Sequence, residues 1–244
     1  EKSNHDKTLV LADHLWRKNM VENLKKLDEI FNIETLIRDY LSDVTDLILI
    51  PHRDLHLIPL EYLFHNRGYR TIRVPSLQIA FDLADKQALP IHPPLTIEHP
   101  VTPSADDLFY AEIESAILTN LYQIPKKNRL IGRNATRKRL LEVLTTDADI
   151  FHFTGHGEHD IDCPTESALF LADDSKLTLR ELLNLPLRSY YLVSLSACET
   201  GLTGNSNVID EFVGLASGFL ARGVTFVLST LWRHQVKEKC QRDK

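Results

Sequence analysis

Cysteine is scarce in this chain: 244 residues hold three, Cys163, Cys198 and Cys240. An odd count without framework spacing argues against a disulfide scaffold and fits a reducing compartment, the cytoplasm. No secretory leader is visible, and no apolar run is long enough to span a bilayer, so no membrane partner is expected. Positive charge is not in excess. The formal net charge of −6 argues against a generic nucleic-acid surface. The only basic clusters are Lys126-Lys127-Asn128-Arg129 and Arg137-Lys138-Arg139, and the second reads as the solvated face of a helix. Internal repeats are absent, and the first residue is Glu1 rather than methionine, which reads as the start of an excised piece.

Against these absences, one stretch stands out: Leu192-Val193-Ser194-Leu195-Ser196-Ala197-Cys198-Glu199-Thr200-Gly201-Leu202. It reads as a strand thinned by small residues that stops at a cysteine and is closed by glycines. Such a strand end brings backbone close to whatever binds there. In an open parallel sheet, ligands collect at the carboxyl ends of strands. A second short strand, Ile150-Phe151-His152-Phe153, runs through Thr154 into a tight Gly155-His156-Gly157 turn. If the two strands are neighbours, the Cys198 thiol and the His156 imidazole meet above one sheet edge. That is the nucleophile–base pairing of a cysteine peptidase, whose partners are adjacent in space rather than in sequence.

Taken in order, residues 7–31 and Ile33–Leu41 are expected as helices from apolar spacing. Asp46–Pro51 and Leu55–Pro59 read as two strands of a hairpin turning at His52-Arg53-Asp54. Leu60–Phe64 reads as a short helix, Tyr69–Val74 as a strand, and Ser76 as the cap of a helix from Leu77 to about Ala88. Prolines 90, 93, 94, 100 and 103 mark a linker with room for little more than Leu95–Ile97 as a strand. Beyond it come a helix over 105–122, a strand over 128–131, and a Thr136-capped helix to about Leu144. The histidine strand over 149–153 follows, then a polar loop, a strand over 168–172 and a Thr178-capped helix to Leu185. The cysteine strand spans 190–197. A helix over 211–222, whose Gly214 and Gly218 permit close packing, and a strand over 224–231 complete the series. Strands alternating with helices predict an α/β fold with a mostly parallel sheet and helices on both faces. The expected organisation is an N-terminal subdomain over 1–89, a proline-rich linker over 90–104 and a larger subdomain over 105–244.

The chain resembles the CHAT domain family, a branch of the caspase-like cysteine peptidases related to separases and caspases. The resemblance rests on His152-Phe153-Thr154-Gly155-His156-Gly157 and Leu195-Ser196-Ala197-Cys198-Glu199-Thr200-Gly201, with weaker matches at Leu49–Pro59, Val74-Pro75-Ser76-Leu77, Ala168–Ala172 and Ser229-Thr230-Leu231-Trp232. It covers about residues 44–232. It implies a caspase-like sheet sandwiched by helices, braced by a smaller N-terminal α/β subdomain. It implies that Cys198 is the nucleophile, that His156 polarises the thiol or protonates the leaving amine, and that the N–H groups of Gly157 and Cys198 form an oxyanion hole. It also implies a protein substrate and control by a partner protein or by tetratricopeptide-type helical repeats outside this chain. Two departures stand beside it. Asn207-Val208-Ile209-Asp210-Glu211 replaces the usual glycine-rich segment, and after Trp232 the long final helix of relatives reads as missing or replaced, so the larger subdomain reads as truncated.

Other chemistries compete for the same residues. His152, His156, His159, Asp160, Asp162 and Cys163 fall in one segment with metal-ligand chemistry. A strand histidine followed by a turn histidine does not supply the helical i, i+4 geometry of a zinc peptidase, so no metal and no cofactor is expected. His52 and His56 read as hairpin residues rather than as the base. Glu199, Asp210 and Glu211 crowd acid near the thiol, which predicts a pocket for Arg or Lys in a substrate. The alternative from another class is a catalytically silent module that keeps the fold and binds proteins.

Overall fold

The computed structural model describes residues 19–52, 55–56, 58–84, 92–102, 108–144, 147–160, 162–185, 187, 190–197 and 214–230. Contacts divide the chain into two compact units, one comprising residues 1–50 with 58–73, the other residues 51–57 with 74–244.

In the smaller unit, helix α1 spans residues 19–31. Asn32, in the left-handed region, separates it from α2 (Ile33–Leu36), which continues as a π-turn over Ile37–Leu41. Strands β1 (Asp46–Leu49) and β2 (Arg70–Arg73) pair in parallel, with Ile48 level with Ile72. The expected hairpin is therefore corrected. β1 takes its parallel partner in β2, and of the expected return strand the described Leu55 and His56 lie in a 3-10 turn, while Arg53, Asp54 and Leu57 lie outside the described residues. The physical reason is that Pro59 cuts the return run short, while β2 offers a matching apolar residue and an Arg70–Asp46 hydrogen bond of 2.7 Å. The 3-10 helix Leu60–Phe64 places Leu63 and Phe64 beside Ile33 in a small buried cluster.

The larger unit is built on a five-stranded, wholly parallel sheet. Helix α3 (Leu77–Ala84) precedes it and is capped by the Ser76 hydroxyl, which accepts from Ile79 N at 3.3 Å. The sheet strands are β3 (Leu95–Glu98), β4 (Arg129–Ile131), β5 (Ile150–Thr154), β9 (Leu192–Ser196) and β10 (Phe226–Leu228), in the order β10-β9-β5-β3-β4. Between β5 and β9, the strands β6 (Gly157–Glu158), β7 (Ala168–Phe170) and β8 (Lys176–Thr178) form a small antiparallel sheet. The proline-rich span thus holds β3, a strand with every residue buried and a neighbour on each side. Prolines flank it but leave its ladder positions free, which is what a central strand requires.

The register sorts the sheet's two faces. Leu95, Phe151 and Val193 lie level, as do Ile97, Phe153 and Leu195. These residues join one large core with Leu140 of α5 (Arg137–Val143), Leu179 and Leu182 of α6 (Leu179–Leu182), and Leu215 and Phe219 of α7 (Leu215–Ala221). Both expected caps form: Thr136 accepts from Arg139 N, and Thr178 exchanges a capping box with Glu181. The opposite face is polar on its central strands, with Thr96, Glu98, His152 and Thr154 all buried. Helix α4 (Phe109–Tyr122) lies over it and places Glu114 at Thr154. A mixed α/β fold with a parallel sheet flanked by helices is the architecture that the caspase-like resemblance implies.

Candidate active site

All five strands of the large sheet run the same way, so their carboxyl ends share one edge. The chain places β4 on one side of β3 and then carries β5 to the other side, so strand order reverses between β3 and β5. That reversal is where open α/β sheets form a crevice. β5 ends at it.

Thr154 is the last residue of β5 and is level with Ser196, the last residue of β9. The pairing extends one step further, because Gly155 N donates to Ser196 O at 3.2 Å. On the other side, His99 N donates to Thr154 O at 2.8 Å. Gly155 has no room for a side chain: a Cβ there would lie 2.9 Å from Phe153 Cζ and 3.0 Å from Pro100 Cδ. This close approach explains the glycine before the histidine. His156 follows, half-buried, between β5 and β6, and its carbonyl accepts from Phe170 N at 3.0 Å. Gly157 is level with Leu169 in the antiparallel ladder. Ladder bonds in such a pair alternate sides, so with His156 O facing β7 the N–H of Gly157 is turned away from β7.

Of the other predicted site residues, Cys198, Glu199, Asp210 and Glu211 lie outside the described residues. The buried Ala197, one residue before Cys198 in the sequence, accepts from Thr230 Oγ1 at 2.6 Å through its carbonyl. Level residues Thr154 and Ser196 each precede a member of the expected pair by two positions: His156 in one case, Cys198 in the other.

The ligand-like residues of 152–163 are not gathered. His152 points from β5 toward α4. Ser167 holds His159 and Asp160: its hydroxyl accepts from Asp160 N at 3.0 Å and lies 3.2 Å from His159 Nδ1. Asp160 Oδ1 accepts from the N–H groups of Asp162 and Cys163 at 3.0 and 2.8 Å. Cys163 is exposed. Among the described residues, no three histidine, cysteine or acidic side chains form a metal-sized cluster. Among them, too, no helix is long and apolar enough to cross a membrane.

The structure adds a polar layer that sequence reasoning missed. Arg129 grips Glu98 with two bonds of 2.7 Å, and Thr96 Oγ1 donates to the same carboxylate at 2.5 Å. Thr154 Oγ1 donates to Glu114 Oε2 at 2.9 Å. The carboxylate's other oxygen stands 3.7 Å from His152 Nε2. Burial lowers the His152 pKa against the pull of Glu114 and Glu98, so at neutral pH the imidazole is uncharged and the contact is not an ion pair. The signal for this layer was present as Thr96-x-Glu98 and His152-x-Thr154, polar residues at period two within strands that are otherwise apolar.

Compared with models of known protein families, the chain matches the CHAT domain over residues 21–238. Compared with curated proteins, it has no match.

Proposed function

From the premise that the chain belongs to the CHAT domain family, we propose that it is a cysteine endopeptidase with Cys198 as nucleophile and His156 as its proton-transfer partner. One observation carries the reading. β5 and β9 are adjacent parallel strands whose last residues are level, and His156 and Cys198 each follow two positions later. In the proposed reaction the imidazole takes the thiol proton and the thiolate attacks the peptide carbonyl carbon. The oxyanion that develops is held by backbone N–H groups. Collapse expels the amine, which leaves with the proton from the imidazolium, and water then hydrolyses the thioester. The outward turn of the Gly157 N–H supports a place for it in the oxyanion hole beside Cys198 N–H. The acidic residues Glu199, Asp210 and Glu211 near the thiol in sequence support a preference for Arg or Lys before the scissile bond. A peptide panel cleaved equally well after neutral residues would remove that preference.

The test is labelling of the full chain with a thiol-reactive peptide probe, followed by mass spectrometry of all three cysteines. Selective modification of Cys198, lost in His156→Ala, is the expected result. Equal labelling of Cys163, Cys198 and Cys240 would overturn the peptidase and leave a protein-binding module on the same fold.

A further inference from the structure

We propose that Glu114 of α4 is a positioning residue for His156, acting through the hydroxyl of Thr154. Its consequence for catalysis rests on the peptidase reading above; its effect on the imidazole does not.

Three grips fix the end of β5. The Thr154 carbonyl accepts from His99 N, Gly155 N donates to Ser196 O, and the Thr154 hydroxyl donates to Glu114 Oε2. The first two are backbone bonds that the sheet supplies to any sequence. The third is a choice of side chains. Thr154 is 2% exposed, so its hydroxyl has no water to fall back on and depends on an acceptor within the protein. Glu114 supplies it from a neighbouring helix. The carboxylate is not there to neutralise His152, since that imidazole is uncharged at neutral pH and sits beyond hydrogen-bond range.

The start of α4 is tied to the same place. Leu108 N donates to His99 Nε2 at 3.0 Å, and His99 itself adopts a left-handed φ of 43° while its N–H holds Thr154 O. Helix and strand end are therefore linked twice, once through His99 and once through Glu114. Only Gly155 separates Thr154 from His156, its N–H is held by Ser196 O, and Phe153 and Pro100 occupy the side where a Cβ would stand, so a displacement of Thr154 is passed on to His156. A proton-transfer group must be held to a fraction of an ångström, and an error of 1 Å costs rate rather than binding. Glu114 is thus placed to set where the imidazole stands without touching substrate.

The experiment uses the full chain with Glu114→Ala, Glu114→Gln, Thr154→Val and the Ala/Val double variant. Two readouts are taken: the imidazole NMR signal of His156, assigned by its loss in His156→Ala, and the kinetics of peptide cleavage. Gln keeps an oxygen that accepts from Thr154, and Val keeps the shape of Thr while removing its hydroxyl. Glu114→Ala and Thr154→Val are each expected to displace the His156 signal and lower kcat about tenfold, with KM within about twofold. The double variant should be no worse than either single one, because both remove the same bond. Glu114→Gln should restore the signal and most of the rate. Should Glu114→Ala fail to fold, Thr154→Val carries the same comparison. A His156 signal unchanged in Glu114→Ala or Thr154→Val, or losses that add in the double variant, overturns the proposal. If the unsubstituted protein cleaves no peptide, the imidazole signal still decides: a shift rescued by Gln upholds the positioning role while the peptidase reading falls.

Discussion

His152 sits in the middle of a central strand, 4% exposed, and burial pushes its pKa below the usual 6.5 despite the nearby Glu114 and Glu98. An unfolded chain binds the proton near pH 6.5, and the folded one only at lower pH. Between those two points the unfolded state holds more protons, so acidification favours unfolding. Stability is therefore lost as pH falls below about 6.5 and levels off once the folded-state pKa is passed. In His152→Gln this contribution disappears, and the decline of unfolding free energy from pH 7 to pH 5 becomes shallower by up to about 1.4 kcal/mol per pH unit. Urea titrations at four pH values measure it, and parallel slopes for the two proteins would sink the idea. At this scale the sequence discloses residues of rare chemistry more readily than their supports. A cysteine and a histidine next to glycines stand out in the sequence as candidates, because few structural roles need that combination. Glu114 and Thr154 do not. A glutamate on an amphipathic helix and a threonine in a strand have common surface explanations, and only the packing of α4 on the polar face brings them to 2.9 Å.

Elements were legible where a local side chain fixes them. Ser76, Thr136 and Thr178 each accept a hydrogen bond from the N–H three residues on, and the helices start where those caps predict. Pairing was less legible, because it is decided by distant partners: β1 reads as one arm of a hairpin until β2 is seen beside it. β3 forms where Leu95–Ile97 is expected as a strand and adds Glu98, while the prolines that read as linker only flank it. Gly218 reads in the sequence as permitting close packing of its helix, and the structure supplies the partner, α6. A Cβ on Gly218 would collide with Leu179 Cδ1 and would come within 3.3 Å of Leu182 Cδ2. Leu179 is 1% exposed in the core, so its methyl has little space to retreat into. An exposed helical glycine changed to alanine would gain up to about 1 kcal/mol from helix propensity. Here overpacking outweighs that gain, and Gly218→Ala is expected to cost about 1–3 kcal/mol. Thermal melts test this with a second substitution. Leu179→Ala leaves a cavity on its own, so the two changes together should cost less than the sum of the two alone. Strict additivity would mean that the contact does not set the helix spacing.

At the scale of the molecule, the described residues form two cores of unequal reach. The larger unit gathers residues from four of the five parallel strands and from α5, α6 and α7 into one buried cluster, against which Val227 of β10 packs partly buried, with Phe151, Phe219 and Tyr190 packed at ring separations of 6.0–6.1 Å. In the smaller unit the buried cluster is Ile33, Leu63 and Phe64, supported by partly buried neighbours. Its sheet has two parallel strands, and the outward-facing pair Ile48 and Ile72 is 55% and 48% exposed. Apolar burial is the main term opposing chain entropy, and a two-stranded sheet is marginal without a broad packed face. The path of the chain sharpens the contrast, since the smaller unit is interrupted by residues 51–57, which belong to the larger. Opening the smaller unit should therefore require less free energy than unfolding the larger one. Native-state hydrogen exchange in low urea reads the difference. Amides of β5 and β9 are expected to exchange only through global unfolding, while those of β1 and β2 exchange through a subglobal opening a few kcal/mol lower, with a smaller urea dependence. Equal free energies and equal urea slopes for the two sets would mean that the units unfold as one cooperative body, and the inequality of their cores would then have no thermodynamic consequence.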